Sequence, residues 1–309
     1  MARIELKPSD VIFDEEKHEY WLNGQQLQGI TDPIKQMLHP DLYAGIPLSI
    51  IRKAGEYGKA VHHDIYDFDH NFINSGTVEV QDYISLCKAH GLVHEASEYT
   101  VTDGKHFASN IDKIYRVSDD TVSIGDIKTY GVLTPEKQEL ARYQLSTYAW
   151  MLQLQNPKLK IDRLFILHIR NKVTASGKVE HIAGIVFLNR VPSFICEELL
   201  ECYLNGTAFM NPYDIPSDIA SEGTHIRELI ETKERVEAEL NDIKKRIYST
   251  METMDVKTWI TDDGLRLTRK LPTQRSSFNL SLFKQENPTI EFENYMKVST
   301  VAGSLLITA

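Results

Sequence analysis

The sequence predicts an α/β protein with a central mixed β-sheet flanked by helices, followed by a long C-terminal helix and a small β appendage. Three observations predict it. Helical and strand-like segments follow one another in the order α-β-β-β-α between residues 50 and 154. Short apolar runs such as Leu164 to Ile169 read as strands and stop far short of the ~20 residues needed to span a bilayer. Of 309 residues, 42% are hydrophobic and 25% charged, an ordinary globular balance that excludes a disordered or low-complexity chain.

The elements run in order from the N-terminus. Asn23-Gly24 lies between two alternating segments, the strongest short hairpin signal, so a β-ribbon opens the fold. Pro33, Pro40 and Pro47 then break the chain into turns and short helices. Ile51, Ala54, Gly58, Val61 and Ile65 recur at helical spacing and predict a helix over Ile50 to Phe68, with a second near Val80 to His90. β-Branched and aromatic residues mark strands around Glu98 to Val101, Ile111 to Val117 and Thr121 to Thr129. Pro135 opens a helix to about Leu154, Arg163 to Ile169 and Ile182 to Leu188 are strands, and Ser193 to Leu204 is a helix. A turn-rich stretch at Asn211-Pro212 and Pro216 divides residues 1–217 from 218–309. Beyond it, Ile226, Leu229, Val236, Leu240, Ile243, Ile247 and Met254 form a narrow seam at alternating three and four spacing, interrupted by Lys233. That seam either packs on the main domain or pairs with another subunit. Strand-like pieces near Leu265 to Lys270 and Val298 to Thr308 form the appendage.

A net charge of −10 argues against a protein that coats nucleic acid with a diffuse positive field, and leaves open a local basic groove around an acidic, cation-loaded site. The opening MARIELKPSD lacks an apolar h-region, so the expected location is cytoplasmic, with no membrane association. Cys87, Cys196 and Cys202 are too few and too far apart for a disulfide framework and read as reduced structural thiols.

The informative segment is IDKIYRVSDDTVSIGDIKT. A hairpin centred on Asp119 sets Asp112 across from Asp126, with β-carbons ~5 Å apart. At an effective dielectric of 20 the two carboxylates repel by about 3 kcal/mol. Period-two alternation puts Val122, Ile124, Asp126 and Lys128 on one face, joined by Ile114 and Asp112, so the acids emerge from an apolar surface. A hydrated divalent cation offsets that repulsion economically; the other reading is a slipped register with two solvated acids. Lys128 lies on the same face, where it either positions or deprotonates an attacking water and stabilises phosphoryl charge, or simply neutralises Asp126.

Asp112 followed by Asp126-Ile127-Lys128 resembles the metal-dependent PD-(D/E)XK nuclease superfamily, whose hallmark is an acid, a gap, then acid-x-Lys. Gly58 to His62 (GKAVH) looks like the G-x-x-x-H helix motif of the RecB-like branch, Thr129 follows the lysine, and Gln144-x-x-x-Tyr148 resembles its Q-x-x-x-Y motif. The similarity runs from Tyr20 to Leu188. It departs where no proline precedes Asp112 and where Ser109 replaces a frequent glycine. It implies a restriction-endonuclease-like core and Mg²⁺ or Mn²⁺ held by His62, Asp112, Asp126 and the Ile127 carbonyl. Lys128 would then be the catalytic group, with Gln144 and Tyr148 holding it or a phosphate and Glu98 as an additional acid for which Glu95 competes. Helical phase agrees in turning His62 inward and His63 to the polar side.

The cysteine spacing does not match the relatives that hold an iron-sulphur cluster, so no such cluster is expected. The helix before Trp259, the Phe278 to Phe283 segment and the Tyr295 ending are similar to the tail of phage YqaJ-like recombination exonucleases, relatives of lambda exonuclease. Arg266, Arg269, Lys270 and Arg275 are the densest basic stretch of that tail, either a track for DNA backbone or a solvated strand face. The resemblance implies a phage or prophage DNA exonuclease acting in the host cytoplasm, with DNA, a homo-oligomer and a single-strand annealing protein as expected partners. A single-strand- or structure-specific nuclease and a catalytically silent nucleic-acid-binding module are the alternatives.

Overall fold

The computed structural model of the chain describes residues 3–173, 177, 179–215, 217–270 and 280–287. It forms two compact units, Met1–Asn211 and Pro212–Ala309, so the division falls at Asn211-Pro212, slightly ahead of the expected boundary. Arg275 and the strand expected over Val298 to Thr308 lie outside the described residues. Among the described residues no helix is long and apolar enough to cross a membrane.

The first unit begins with three short strands, β1 (Ile12–Asp14), β2 (Glu19–Leu22) and β3 (Gln25–Gly29). Asn23 and Gly24 connect β2 to β3 with positive φ at both residues, the geometry that an Asn-Gly hairpin adopts. Helices α1 (Thr31–Leu38), α2 (Leu48–Asn71) and α3 (Val78–His90) come next, then strands β4 (Val93–Thr102), β5 (Phe107–Ser118) and β6 (Thr121–Lys128). The unit closes with α4 (Pro135–Gln155), β7 (Lys160–Val173), β8 (Val179–Leu188) and α5 (Ser193–Asn205). Thr134 caps α4 by accepting from the Lys137 backbone amide, with Pro135 in the first turn as expected.

These strands form one mixed eight-stranded sheet, with β3–β5 and β6–β7 parallel and the other pairs antiparallel. One face buries Ile114, Val122 and Ile124 with Leu145, Tyr148 and Leu152 of α4 and Leu199 of α5. A second cluster packs Tyr115, Ile127, Phe165 and Leu167 against Val61 and Ile65 of α2 and Val80 and Tyr83 of α3. Helices therefore cover both faces, which is why β7 reads as a nearly continuous apolar run.

Two details of β5 determine where Asp112 stands. Asp119 and Asp120 form a two-residue turn that pairs Ser118 with Thr121, a register that alone would set Asp112 beside Ile127. A bulge between Arg116 and Ser118 shifts it, so that Arg116 faces Val122 and Lys113 faces Gly125; one further step sets Asp112 across from Asp126. Secondly, β3 and β6 share one edge of β5. Ala108 pairs with both Gly29 of β3 and Thr102 of β4, while Lys113 pairs with both Gly125 of β6 and Ser97 of β4. Residues 109–112 therefore lack a strand partner on that edge, and the gap leaves their backbone groups there free to meet side chains inside the fold.

The second unit contains the long helix α6 (Ser217–Thr253), a two-stranded hairpin of β9 (Thr258–Ile260) and β10 (Arg266–Thr268), and the short helix α7 (Leu280–Glu286).

Candidate metal centre

The gap in β5 gathers the acids. Regular pairing with β6 ends at Lys113–Gly125, and the Asp112 carboxylate then takes over, its Oδ2 accepting from the Ile127 amide at 3.0 Å. Across the other edge of β5, Glu98 lies between the pairs Ser97–Lys113 and Tyr99–Ile111, beside Asp112. Its φ of 48° breaks the pleat there, an uncommon conformation for a residue with a side chain. From α2, His62 brings its Nδ1 to 3.7 Å from Asp112 Oδ2. His62, Glu98 and Asp112 each offer a ligand atom, all within 4.8 Å of one another.

Helix α2 is seated for this by Gly58. A Cβ there would stand 3.2 Å from Thr129 Oγ1, so glycine lets the helix approach the end of β6 closely. One turn on, His62 Nε2 donates to the Ile127 carbonyl at 2.9 Å. Since a carbonyl only accepts, Nε2 carries the proton, and in the neutral ring Nδ1 presents its lone pair toward Asp112. His63 is exposed and 3.6 Å from Asp67, on the polar side as its phase predicts.

Asp126 is the anomaly. It is 1% exposed, and neither carboxylate oxygen has a hydrogen-bond partner. Lys128 Nζ lies 2.8 Å from its Oδ2, a charge contact whose angles are not those of a hydrogen bond. Burial pushes the Asp126 carboxyl well up, Lys128 pulls it down, and Asp112 pushes it up again. A buried carboxylate this poorly satisfied costs free energy unless a proton or a cation joins it. Glu98 is raised too, by its partly dry surroundings first and by Asp112 second, although its exposed surface lets water screen part of that repulsion. Glu95, the competing acid, is taken: its carboxylate accepts from Arg116 Nε at 3.0 Å and Arg3 at 2.7 Å, which holds it below the usual range.

Lys128 is fixed from the helix side. Its Nζ donates to Gln144 Oε1 at 3.3 Å; Gln144 Nε2 donates to Tyr148 Oη at 2.8 Å and to Thr31 Oγ1 at 3.5 Å. Tyr148 Oη in turn lies 3.3 Å from Ser109 Oγ, in the β5 gap. Burial lowers the Lys128 pKa, but Asp126, Tyr130 and Asp112 together outweigh it and the group is held above its ordinary value. It therefore stays an ammonium at neutral pH. Burial likewise raises Tyr148, which stays a neutral phenol.

The structure thus brings together His62, Glu98 and Asp112 as a donor set, and joins Asp126, Lys128, Gln144 and Tyr148 in one chain of contacts. The Ile127 carbonyl belongs to the same neighbourhood through His62. Sequence reasoning missed the clamp on the loop after Lys128: His168, opposite Lys128 on β7, donates through Nε2 to the Tyr130 carbonyl at 2.7 Å, and Arg170 Nη1 donates to the Thr129 carbonyl at 2.9 Å. The polar interruption of the apolar run LFILHIR was the available signal. In the second unit, Arg266 and Lys270 are exposed, whereas Arg269 pairs with Asp255 at 3.0 Å, which occupies one member of the expected basic track.

No protein-family model matches the chain, and no curated protein matches it. Among the solved structures that match is one titled "Crystal structure of SSO0001", at 12% identity over 60% of this chain and 78% of that chain, with a TM-score of 0.30. At that level of superposition it bears on neither fold nor function.

Proposed function

We propose that the chain is a metal-dependent deoxyribonuclease that hydrolyses DNA phosphodiesters, of the phage exonuclease kind that its motifs resemble. One observation carries the reading. An imidazole and two carboxylates converge beside a buried carboxylate that has no hydrogen-bond partner, and a lysine held as an ammonium stands 2.8 Å from it. The donors fit a divalent cation: carboxylate oxygens suit Mg²⁺, and the histidine makes Mn²⁺ equally suitable. His62, Glu98, Asp112 and Asp126 would hold it, with the Ile127 carbonyl beside them through His62. When bound, the cation supplies an activated water and neutralises phosphoryl charge.

The chain's own residues do the rest. Lys128, held as an ammonium beside Asp126, orients the attacking water or faces the charge that develops on the phosphoryl oxygens. Gln144 fixes the ammonium, and Tyr148 and Thr31 fix Gln144, so the charge is aimed before substrate arrives. End-labelled linear duplex, circular duplex and single-stranded DNA, each incubated with Mg²⁺, Mn²⁺ or chelator, test the reading. Chelator-sensitive loss of linear duplex alone is the expected result. Cleavage of the single-stranded DNA alone would transfer the proposal to a single-strand-specific nuclease, and intact DNA in every arm despite Mn²⁺ binding would leave a silent binding module.

A further inference from the structure

Helix α6 leaves the middle of its apolar seam in solvent, with Ile226 and Ile247 half-buried toward its ends. Leu229, Val236, Leu240 and Ile243 are 55%, 53%, 46% and 36% exposed, on a helix of 37 residues that spans about 55 Å. Alternating three and four spacing is the a/d pattern of a two-stranded coiled coil. Ile226, Lys233, Leu240 and Ile247 take the a positions, and Leu229, Val236, Ile243 and Thr250 take d. The flanks are charged: Glu237 and Lys244 stand at e, Glu239 and Arg246 at g.

We propose that this face binds a second copy of the chain as an antiparallel coiled coil centred between Asn241 and Asp242. Antiparallel pairing sets a against d, e against e and g against g, and the charges discriminate among the registers. With Leu240 opposite Ile243 of the second copy, Val236 meets Ile247 and Glu237 meets Lys244. Glu239 meets Arg246, and each pairing occurs twice by symmetry. The polar interruption is matched too, because Lys233 falls opposite Thr250. Sliding one heptad toward the N-terminus sets Glu237 on Glu237 and Glu239 on Glu239. Sliding the other way sets Lys244 on Lys244 and Arg246 on Arg246. A parallel, in-register pair stacks Lys233 on Lys233 in the seam. Of these arrangements only the central antiparallel register pairs all of Glu237, Glu239, Lys244 and Arg246 with opposite charges and keeps Lys233 from stacking on itself, and that self-complementarity identifies the occupant as another copy of the same helix. Within one helix, Lys233 reaches Glu237 at 3.9 Å and Arg246 reaches Asp242 at 3.6 Å, exposed pairs too weak to compete with seam burial.

Sedimentation equilibrium on the full chain is expected to give twice 35.4 kDa. The double variant Glu237→Lys with Glu239→Lys should dissociate at least about tenfold more readily, as should Lys244→Glu with Arg246→Glu, since four attractive pairs become repulsive. Mixing the two variants should restore a one-to-one dimer. Orientation is read by mixing chains carrying Lys233→Cys and Thr250→Cys: oxidation should join position 233 to position 250, mapped by peptide mass. A 233-to-233 link would overturn the antiparallel assignment. A 35.4 kDa species at on the order of 50 μM, or self-association indifferent to charge reversal, would overturn the coiled coil itself.

Discussion

Replacing Asp126 by asparagine should stabilise the metal-free protein and abolish its response to metal. The carboxyl is held at about 7 in the fold, against about 3.9 in an unfolded chain. The folded state thus keeps a proton that the unfolded state releases, so stability falls as pH rises from about 4 to about 7, and the cost is fully present above that window. Three pH units at 1.36 kcal/mol each make it about 4 kcal/mol. Asparagine carries no charge, but it leaves amide groups unsatisfied in the same dry site, at about 1–3 kcal/mol. Lys128 loses Asp126 yet keeps Gln144 Oε1 at 3.3 Å and its access to water. The net gain is about 1–3 kcal/mol at pH 8, an increase in Tm of about 2–12 °C for a unit of this size. At pH 4.5 the gain should vanish, because Asp126 is then protonated in the fold. Saturating Mn²⁺ reverses the ranking: at a thousand times Kd it adds about 4.1 kcal/mol to the parent chain and little to the variant. Thermal melts in chelator and in Mn²⁺ at both pH values measure all four quantities. A variant less stable than its parent in chelator at pH 8, or one that gains as much from Mn²⁺, would refute the idea that this buried carboxylate awaits a cation.

Three further outcomes are expected. His62→Ala should weaken Mn²⁺ binding by at least about tenfold in calorimetric titration, while His63→Ala leaves it unchanged, because only His62 stands beside Asp112. Lys128→Ala should retain Mn²⁺ and DNA binding but slow single-turnover cleavage by about 10²–10³, and Lys128→Arg should not restore the rate, since a planar fork cannot reproduce a compact charge. Gly125→Ala should destabilise the first unit by about 1–3 kcal/mol in denaturant unfolding: the added Cβ would stand 2.8 Å from Phe165 and 3.0 Å from Tyr115, whose rings stack beneath the strand that carries Asp126.

How much of the fold and the site was legible in the sequence varies with how local the cause is. The Asn23-Gly24 hairpin, the Pro135 helix start and the His62 stripe rest on neighbouring residues, and each stands as its spacing predicts. The register of Asp112 against Asp126 is a subtler case. Symmetry about Asp119 gives the observed pairing, but the chain reaches it through a two-residue turn and a bulge that compensate for one another. Glu98 could not be separated from Glu95 by alternation, because a register shift between His94 and Ala96 and the positive φ at Glu98 reset which side chains share a face. The gap in β5 was invisible for a different reason: it exists because β3, about eighty residues earlier, takes the far end of the edge that β6 occupies. That gap lets the Asp112 side chain meet the Ile127 amide and Ser109 meet Tyr148. Three departures from local rule meet at the candidate site: a buried acid whose oxygens lack a hydrogen-bond partner, a glutamate in a left-handed conformation and a strand edge left open. Local strain and poorly satisfied charge placed together are what a binding site tolerates, and on the proposed reading a divalent cation would offset the acidic terms together.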